Sequence, residues 1–308
     1  MEYRRLGTTD LRVSRLTLGT VALGADYGFQ AGGTARCPAA AEAEAVMERA
    51  FARGINLVDT APSYGEAEAR LAPVLRRHPE VLVATKVNRL AGDAADAAAR
   101  VAHQVEQSLR RLGRDRIDLL QIHNADVATL ADGRFLRLLE DLVDSGKVRW
   151  LGASVYTAEA ACAVMDWPAA RAVQMPFNLL DQRPRRVVLA RAVERKLGFL
   201  ARSVFLKGVL SPRARFLPAH LAPLRRAAER VCRRFGIDLD QLPRLALRFA
   251  LSAPGIDSVI VGPARPAELD AAVAAWEAGP LAPPQLQAAA GLALADDPLL
   301  DPSTWGVA

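Results

Sequence analysis

Cysteine is scarce in this sequence and poorly spaced for a structural task. Cys37, Cys162 and Cys232 are the only three in 308 residues. Their number is odd and no C-x-x-C or Cys/His spacing joins them, which argues against a disulfide framework and a zinc site. No metal is expected, and a reducing, cytoplasmic setting is. Long apolar runs are missing as well: no window reaches the about 18 uninterrupted apolar residues that a membrane-spanning helix requires. The opening MEYRRLGTTDL lacks the apolar stretch of a signal peptide. No membrane association is expected.

Three further absences narrow the fold and partners. There is no low-complexity linker or internal repeat, so residues 1–308 read as a single domain. The formal charge is +6, but the basic residues are scattered along helical patterns and form no dense arm interleaved with aromatics, which speaks against nucleic acid. Some of that charge remains available for a phosphate-bearing ligand. After the first apolar run the chain reads VALGADYGFQAGG, whose glycines do not make the G-x-G-x-x-G of an open dinucleotide-binding sheet. Lysine is rare too: Lys86, Lys147, Lys196 and Lys207 are four of 40 basic residues, so each lysine invites the question why arginine was not used.

What is present is a rhythm. Apolar runs of strand length occur at 16–20, 55–59, 81–86, 117–123, 148–154, 172–174, 198–203 and 258–262, and amphipathic stretches such as 40–54 and 100–113 separate them. Those two stretches close on Gly54 and Gly113, residues suited to a helix C-terminus. Strands apolar on both faces and alternating with helices imply a covered parallel sheet. Eight such units in about 300 residues predict a (β/α)8 TIM barrel, with residues 2–13 as a hairpin capping its bottom and the Pro/Ala-rich tail from about 278 as peripheral helix plus loop.

In such a barrel the C-terminal strand ends converge on one face. The residues there are Gly19 and Thr20, Asp59 with Tyr64 in the next loop, Lys86, His123, Ser154, Gln174, Ser203 and Gly262. An acid, a phenol, an ammonium and an imidazole at one mouth form a proton-transfer set. A tyrosine with a pKa of about 10 is too weak an acid unless a cation stabilises its phenolate. Lys86 supplies the cation, Asp59 the counter-charge, and His123 a hydrogen bond to a polarised carbonyl. None of these groups can hold a hydride, so a redox role requires a cofactor. Taken singly, each has a plainer reading: Asp59 and Thr60 as a helix cap, Tyr64 as a packing ring, His123 as a core histidine.

At these residues the chain resembles the aldo-keto reductase family. The matching stretches are YRRLGTTDLRVSRLTLGT, GINLVDTAPSYGEAE, VLVATK, SLRRLGRDRIDLLQIH, SGKVRWLGAS, VQMPFNLLDQR and SVIVG. The resemblance implies a (β/α)8 barrel that binds NADP(H), with NAD(H) as the other option, and a catalytic tetrad of Asp59, Tyr64, Lys86 and His123. It implies that Ser154 and Gln174 hold the nicotinamide carboxamide. Ser203, Leu206 and Gly208 border the pyrophosphate, Gly262 starts the loop over the adenosine phosphate, and Gly19, Thr20 and Asp59 lie on the cofactor side.

Two positions depart from the family pattern. Val155 replaces a usual asparagine, and Arg202 stands where many members place a stacking aromatic. A guanidinium beside the nicotinamide opposes the cationic oxidised ring, so reduced cofactor is expected to bind more tightly than oxidised; equal dissociation constants in a titration would contradict this. Arg265 suits a 2′-phosphate and nearby Glu268 a ribose diol. The expected activity is NADP(H)-dependent reduction of a small-molecule aldehyde or ketone, including a sugar or biosynthetic intermediate, to an alcohol. The alternatives are a nicotinamide-binding regulatory subunit and an imine reductase. Tyr27, in the long loop 24–39, and Trp305, in the tail, are the candidate substrate-lining residues. Monomer and homo-oligomer are both left open.

Overall fold

Apolar strands that alternate with amphipathic helices must be covered on both faces, and this chain does so by closing its sheet. The computed structural model describes residues 1–88, 94–294 and 298–306. The barrel strands are β1 (Leu16–Gly19), β2 (Leu57–Asp59), β3 (Leu82–Val87), β4 (Ile117–Ile122), β5 (Val148–Ser154), β6 (Ala170–Pro176), β7 (Gly198–Arg202) and β8 (Ser258–Val261). Each pairs in parallel with its neighbour in chain order, and β8 returns to β1 through Val259↔Leu16, closing the barrel. All eight expected runs are strands.

Helices cover the outside with single apolar faces. Ala40–Ala52 buries Ala43, Val46, Met47, Ala50 and Phe51, the spacing of one helical stripe. Ala94–Leu112 buries Val101, Val105, Leu109 and Leu112, and Gly113 follows it at φ 63°. Among the described residues no helix is long and apolar enough to cross a membrane.

The barrel interior is layered. A hairpin of Tyr3–Arg5 and Arg12–Ser14, ending one residue beyond the expected span, pushes Leu6, Leu11 and Val13 into the bottom. There they pack with Leu57, Ala84, Leu119, Ala172, Leu200 and Ile260, one residue from each of six strands. Side chains two positions apart on a strand share a face. The next inward layer on the same strands is therefore Asp59, Lys86, Gln121, Gln174 and Arg202, with Gly262 just past β8. An apolar floor thus stands directly under a polar tier.

The loop after β1 is more ordered than its sequence suggests. A single helical turn, Val21–Gly24, follows β1, and Phe29–Gln30 pairs antiparallel with Gly33–Thr34 to make a small flap within loop 24–39. The tail forms a helix, Pro283–Ala290, and two tight turns, Pro298–Leu300 and Pro302–Thr304.

Candidate active site

Strand β2 ends on a carboxylate because the polar tier is waiting for it. Asp59 is 3% exposed. One oxygen, Oδ2, accepts from Lys86 Nζ at 2.7 Å; the other accepts from Gln174 Nε2 at 2.7 Å and Gln121 Nε2 at 3.1 Å. Thr20 fixes the backbone beneath, its N–H and hydroxyl donating to the Asp59 carbonyl at 3.0 and 3.1 Å. Lys86 is 2% exposed and also donates to the Thr60 carbonyl at 2.9 Å. Burial pulls the Lys86 pKa down, but the opposing charge of Asp59 and the Tyr64 phenol more than offset it, so the ammonium is held above its ordinary value. Two charges this deep are tolerable only as a hydrogen-bonded pair.

Tyr64 is carried back over that pair by a tight turn. Its N–H donates to the Ala61 carbonyl at 3.0 Å, its carbonyl accepts from Ala67 N at 3.1 Å, and Glu66 N donates to the Gly24 carbonyl at 3.0 Å. Lys86 Nζ lies 5.0 Å from the centroid of the Tyr64 ring. That ring meets His123 edge-on, 6.0 Å between centroids at 82°. Burial, and next the Lys86 charge, push the His123 imidazole down to about 4, so it is neutral near pH 7. The four expected groups therefore meet: a charged Lys–Asp pair, a phenol beside it, and a neutral imidazole against the phenol.

Asp59, Tyr64 and His123, with Lys86 buried behind them, line one side of a cleft of about 680 Å³ that also takes in Gly19, Thr20, Ser154, Gln174, Arg202, Ser203, Gly208, Gly262 and Glu268. Ser154 Oγ donates to Gln174 Oε1 at 3.2 Å, and Gln174 Nε2 donates to Gln121 Oε1 at 3.1 Å. Gln121 is an addition to the expected set. Its signal is the alternation in QIH: it sits two residues before His123 and two after Leu119, on the inward face.

At the end of β7 the backbone is strained. Ser203, Leu206 and Lys207 take left-handed φ of 56°, 45° and 51°, followed by Gly208 at 99°; such conformations cost a non-glycine residue about 1–3 kcal/mol each and cluster where ligands are held. Asn178 Nδ2 pins this turn by donating to the Ser203 carbonyl at 3.0 Å. The Arg202 guanidinium lies 4.1 Å over the Tyr156 ring, and donates to Val155 O at 3.1 Å and Ser203 Oγ at 3.2 Å. Its Nε is buried without a hydrogen-bond partner among the described residues.

Three expected contacts are not on the cleft wall. Leu206 is fully buried behind it. Arg265 is exposed at the start of helix Pro266–Glu277, outside the lining; Arg213 and Arg244 line that end, with Arg213 Nη2 donating to Glu268 Oε1 at 2.8 Å. Trp305 is buried against Phe29, ring centroids 6.1 Å apart, with Nε1 donating to Leu299 O at 2.9 Å, so it props the flap from behind. Tyr27 does reach the cleft, its ring 5.3 Å from Lys207 Nζ, and burial pushes its phenol above the ordinary range.

The residues present fit a nicotinamide dinucleotide. An amide and a hydroxyl sit beside the proton-transfer set, a left-handed turn with Gly208 follows, and arginines stand at the far end. A sequence model of the Aldo/keto reductase family matches residues 15–293. Aldo-keto reductase YhdN of Bacillus subtilis (strain 168) is 27% identical over 303 residues, covering 88% of this chain and 87% of that protein. D-threo-aldose 1-dehydrogenase of Pseudomonas sp is 30% identical over 269 residues, covering 74% and 81%. Among solved structures, the holo form of aldo-keto reductase AKR11C1 from Bacillus halodurans matches with a TM-score of 0.78 at 27% identity, over 96% of this chain and 97% of that one. Barrel, polar tier and relatives agree, and the chain belongs to the aldo/keto reductase family as an NAD(P)H-dependent oxidoreductase.

Proposed function

We propose that this protein, as a single cytoplasmic domain, reduces an aldehyde or ketone to the alcohol with Tyr64 as the proton donor. The observation that carries the reading is the Lys86–Asp59 ion pair, 2.7 Å long, buried under the Tyr64 ring. When bound, the reduced nicotinamide supplies a hydride to the carbonyl carbon. Tyr64 gives its proton to the carbonyl oxygen, and the Lys86 ammonium stabilises the phenolate left behind. Asp59 keeps Lys86 charged. The neutral His123 donates a hydrogen bond to the same oxygen and orients it. Ser154 and Gln174 hold the carboxamide, and the turn from Ser203 to Gly208, with Gly19, Thr20 and Gly262 opposite, receives the dinucleotide.

NADP(H) is the favoured form of the cofactor. Glu268, which would otherwise repel a 2′-phosphate, is neutralised by Arg213, and Arg244 adds a second cation on the lining. Arg213 and Arg244 take the part first assigned to Arg265. The likeness to D-threo-aldose 1-dehydrogenase adds sugars to the carbonyl compounds worth assaying. A purely nicotinamide-binding subunit would need no buried ammonium beneath a phenol, and an imine acceptor would use the same donor.

The test is steady-state oxidation of NADPH with a carbonyl panel, comparing wild type with Tyr64→Phe. The variant is expected to lose about 10²–10⁴-fold in kcat while still binding cofactor. Retention of most of the wild-type kcat would remove Tyr64 from the role of acid.

A further inference from the structure

We propose that Gln121 is a positioning residue for the nicotinamide: it locks the side-chain amide of Gln174 with its oxygen outward, so that the cleft selects a ring able to donate an N–H there. This rests on the reductase reading above, in which Ser154 and Gln174 hold the carboxamide. Gln121 is fully buried and does not line the cleft, so it acts only through its neighbours. Both of its side-chain hydrogen-bond partners belong to the site.

The bonds close a triangle. Gln121 Nε2 donates to Asp59 Oδ1 at 3.1 Å, Gln174 Nε2 donates to the same oxygen at 2.7 Å, and Gln174 Nε2 also donates to Gln121 Oε1 at 3.1 Å. Charge sets their direction. Asp59 is the carboxylate of an ion pair with Lys86 and can only accept, so both amides must turn their nitrogen toward it. Gln174 thereby engages both of its N–H groups inside the barrel. What it keeps for the cleft is Oε1, the atom that also accepts from Ser154 Oγ at 3.2 Å. An amide oxygen has two lone pairs, so a second donor fits there, and the NH2 of a carboxamide is such a donor.

Asp59 alone would not hold that orientation, because a side chain tied at one acceptor can still turn about the bond. The second tie, to Gln121 Oε1, fixes the plane of the amide. The strand between the two glutamines lets them meet. Gln121 on β4 pairs with Gly152 on β5, and Gly152 pairs with Ala172 on β6, two residues before Gln174. Gly152 shares a face with Ser154, and without a side chain it puts nothing between the amides. A Cβ there would meet the Ala172 carbonyl oxygen at 2.6 Å, so the close packing of β5 on β6 keeps the gap open. The three members of the triangle are at most 3% exposed, and an N–H stripped of its acceptor in so dry a place bears its full desolvation cost.

The test is binding, read from protein fluorescence, of NADPH, or of NADH should wild type bind that more tightly, against the reduced 3-acetylpyridine analogue of the same cofactor. In the analogue a methyl group replaces the carboxamide NH2. Wild type is expected to prefer the natural cofactor by about tenfold or more, because the analogue leaves Gln174 Oε1 short of a donor. Gln121→Met keeps the volume and removes the amide. It should bring the ratio to within about threefold of unity, by weakening the natural cofactor and leaving the analogue nearly unchanged. A loss of packing alone would weaken both ligands alike and preserve the ratio. Gln121→Asn, whose amide falls one methylene short of its partners, gives the same reading should the methionine variant not fold, and its ratio should fall too.

A wild type that binds both ligands equally, or a variant whose ratio matches that of wild type, overturns the role of Gln121 and leaves the reductase reading standing. A wild type that binds neither NADPH nor NADH removes that reading and this role with it.

Discussion

His123 carries the charge logic of the site in a single ring. Burial first, and the neighbouring ammonium of Lys86 second, lower its pKa from 6.5 to about 4. Between those two values the unfolded chain binds more protons than the folded one, so stability falls as the pH drops through the window from 6.5 toward 4. Thermal melts across that range should show a steeper loss for wild type than for His123→Gln, while the folded wild type keeps a neutral imidazole at pH 6. An imidazole titrating near 6.5 by NMR in the folded protein would contradict this. Asp59, Tyr64, Lys86 and His123 were legible in the sequence because each closes an apolar run or follows one in the next loop. Gln121 was not, because it is embedded in such a run and only the alternation of faces marks it. Tyr156 and Arg213 lie on connections, where linear spacing carries no information about what folds back onto the cleft.

Among the elements, the turn Val21–Gly24 does the least expected work. A Cβ on Gly24 would sit 2.2 Å from the Tyr64 carbonyl oxygen and 2.3 Å from Ala67 N, both backbone atoms that cannot swing aside. Gly65, at φ 57°, makes the reciprocal approach: its own Cβ would lie 2.2 Å from Gly24 O. The helical turn after β1 is thus the support that sets the height of the Tyr64 loop above Lys86. Gly24→Ala should cost about 1–3 kcal/mol in a denaturant titration through overpacking. It should also lower kcat by up to about 10²-fold through displacement of the donor, with little change in NADPH affinity. An unchanged kcat would mean that the loop is held elsewhere. In sequence, the glycines of VALGADYGFQAGG spoke only against a dinucleotide-binding helix. Nothing in it separates a glycine needed for close approach from one needed for a turn, which is also why the flap at Phe29–Thr34 read as an irregular loop.

Across the whole molecule, chemistry and stability occupy different storeys of one barrel. The alternation that puts Asp59 above Leu57, Lys86 above Ala84 and Gln174 above Ala172 follows from strand geometry. The eight apolar runs were therefore enough to foresee both the closure and the mouth, even though strand limits shifted by one or two residues. What those runs could not convey was how the lower opening is sealed. There, Leu6, Leu11 and Val13 of the hairpin are at most 1% exposed, and Leu6 packs so closely on β7 that a Cβ at Gly198 would meet its Cδ1 at 2.6 Å. The plug touches the apolar floor, and the floor separates it from the polar tier. Leu11→Ala should therefore lower stability by about 2–5 kcal/mol, read from the urea midpoint, as expected for a buried leucine whose cavity cannot collapse against a closed ring of strands. Well below the transition, its kcat and its NADPH dissociation constant should match those of wild type. If either moves by more than a few-fold while the protein is fully folded, the storeys are coupled, and the floor then helps set the height of Asp59 and Lys86 as well as sealing the barrel.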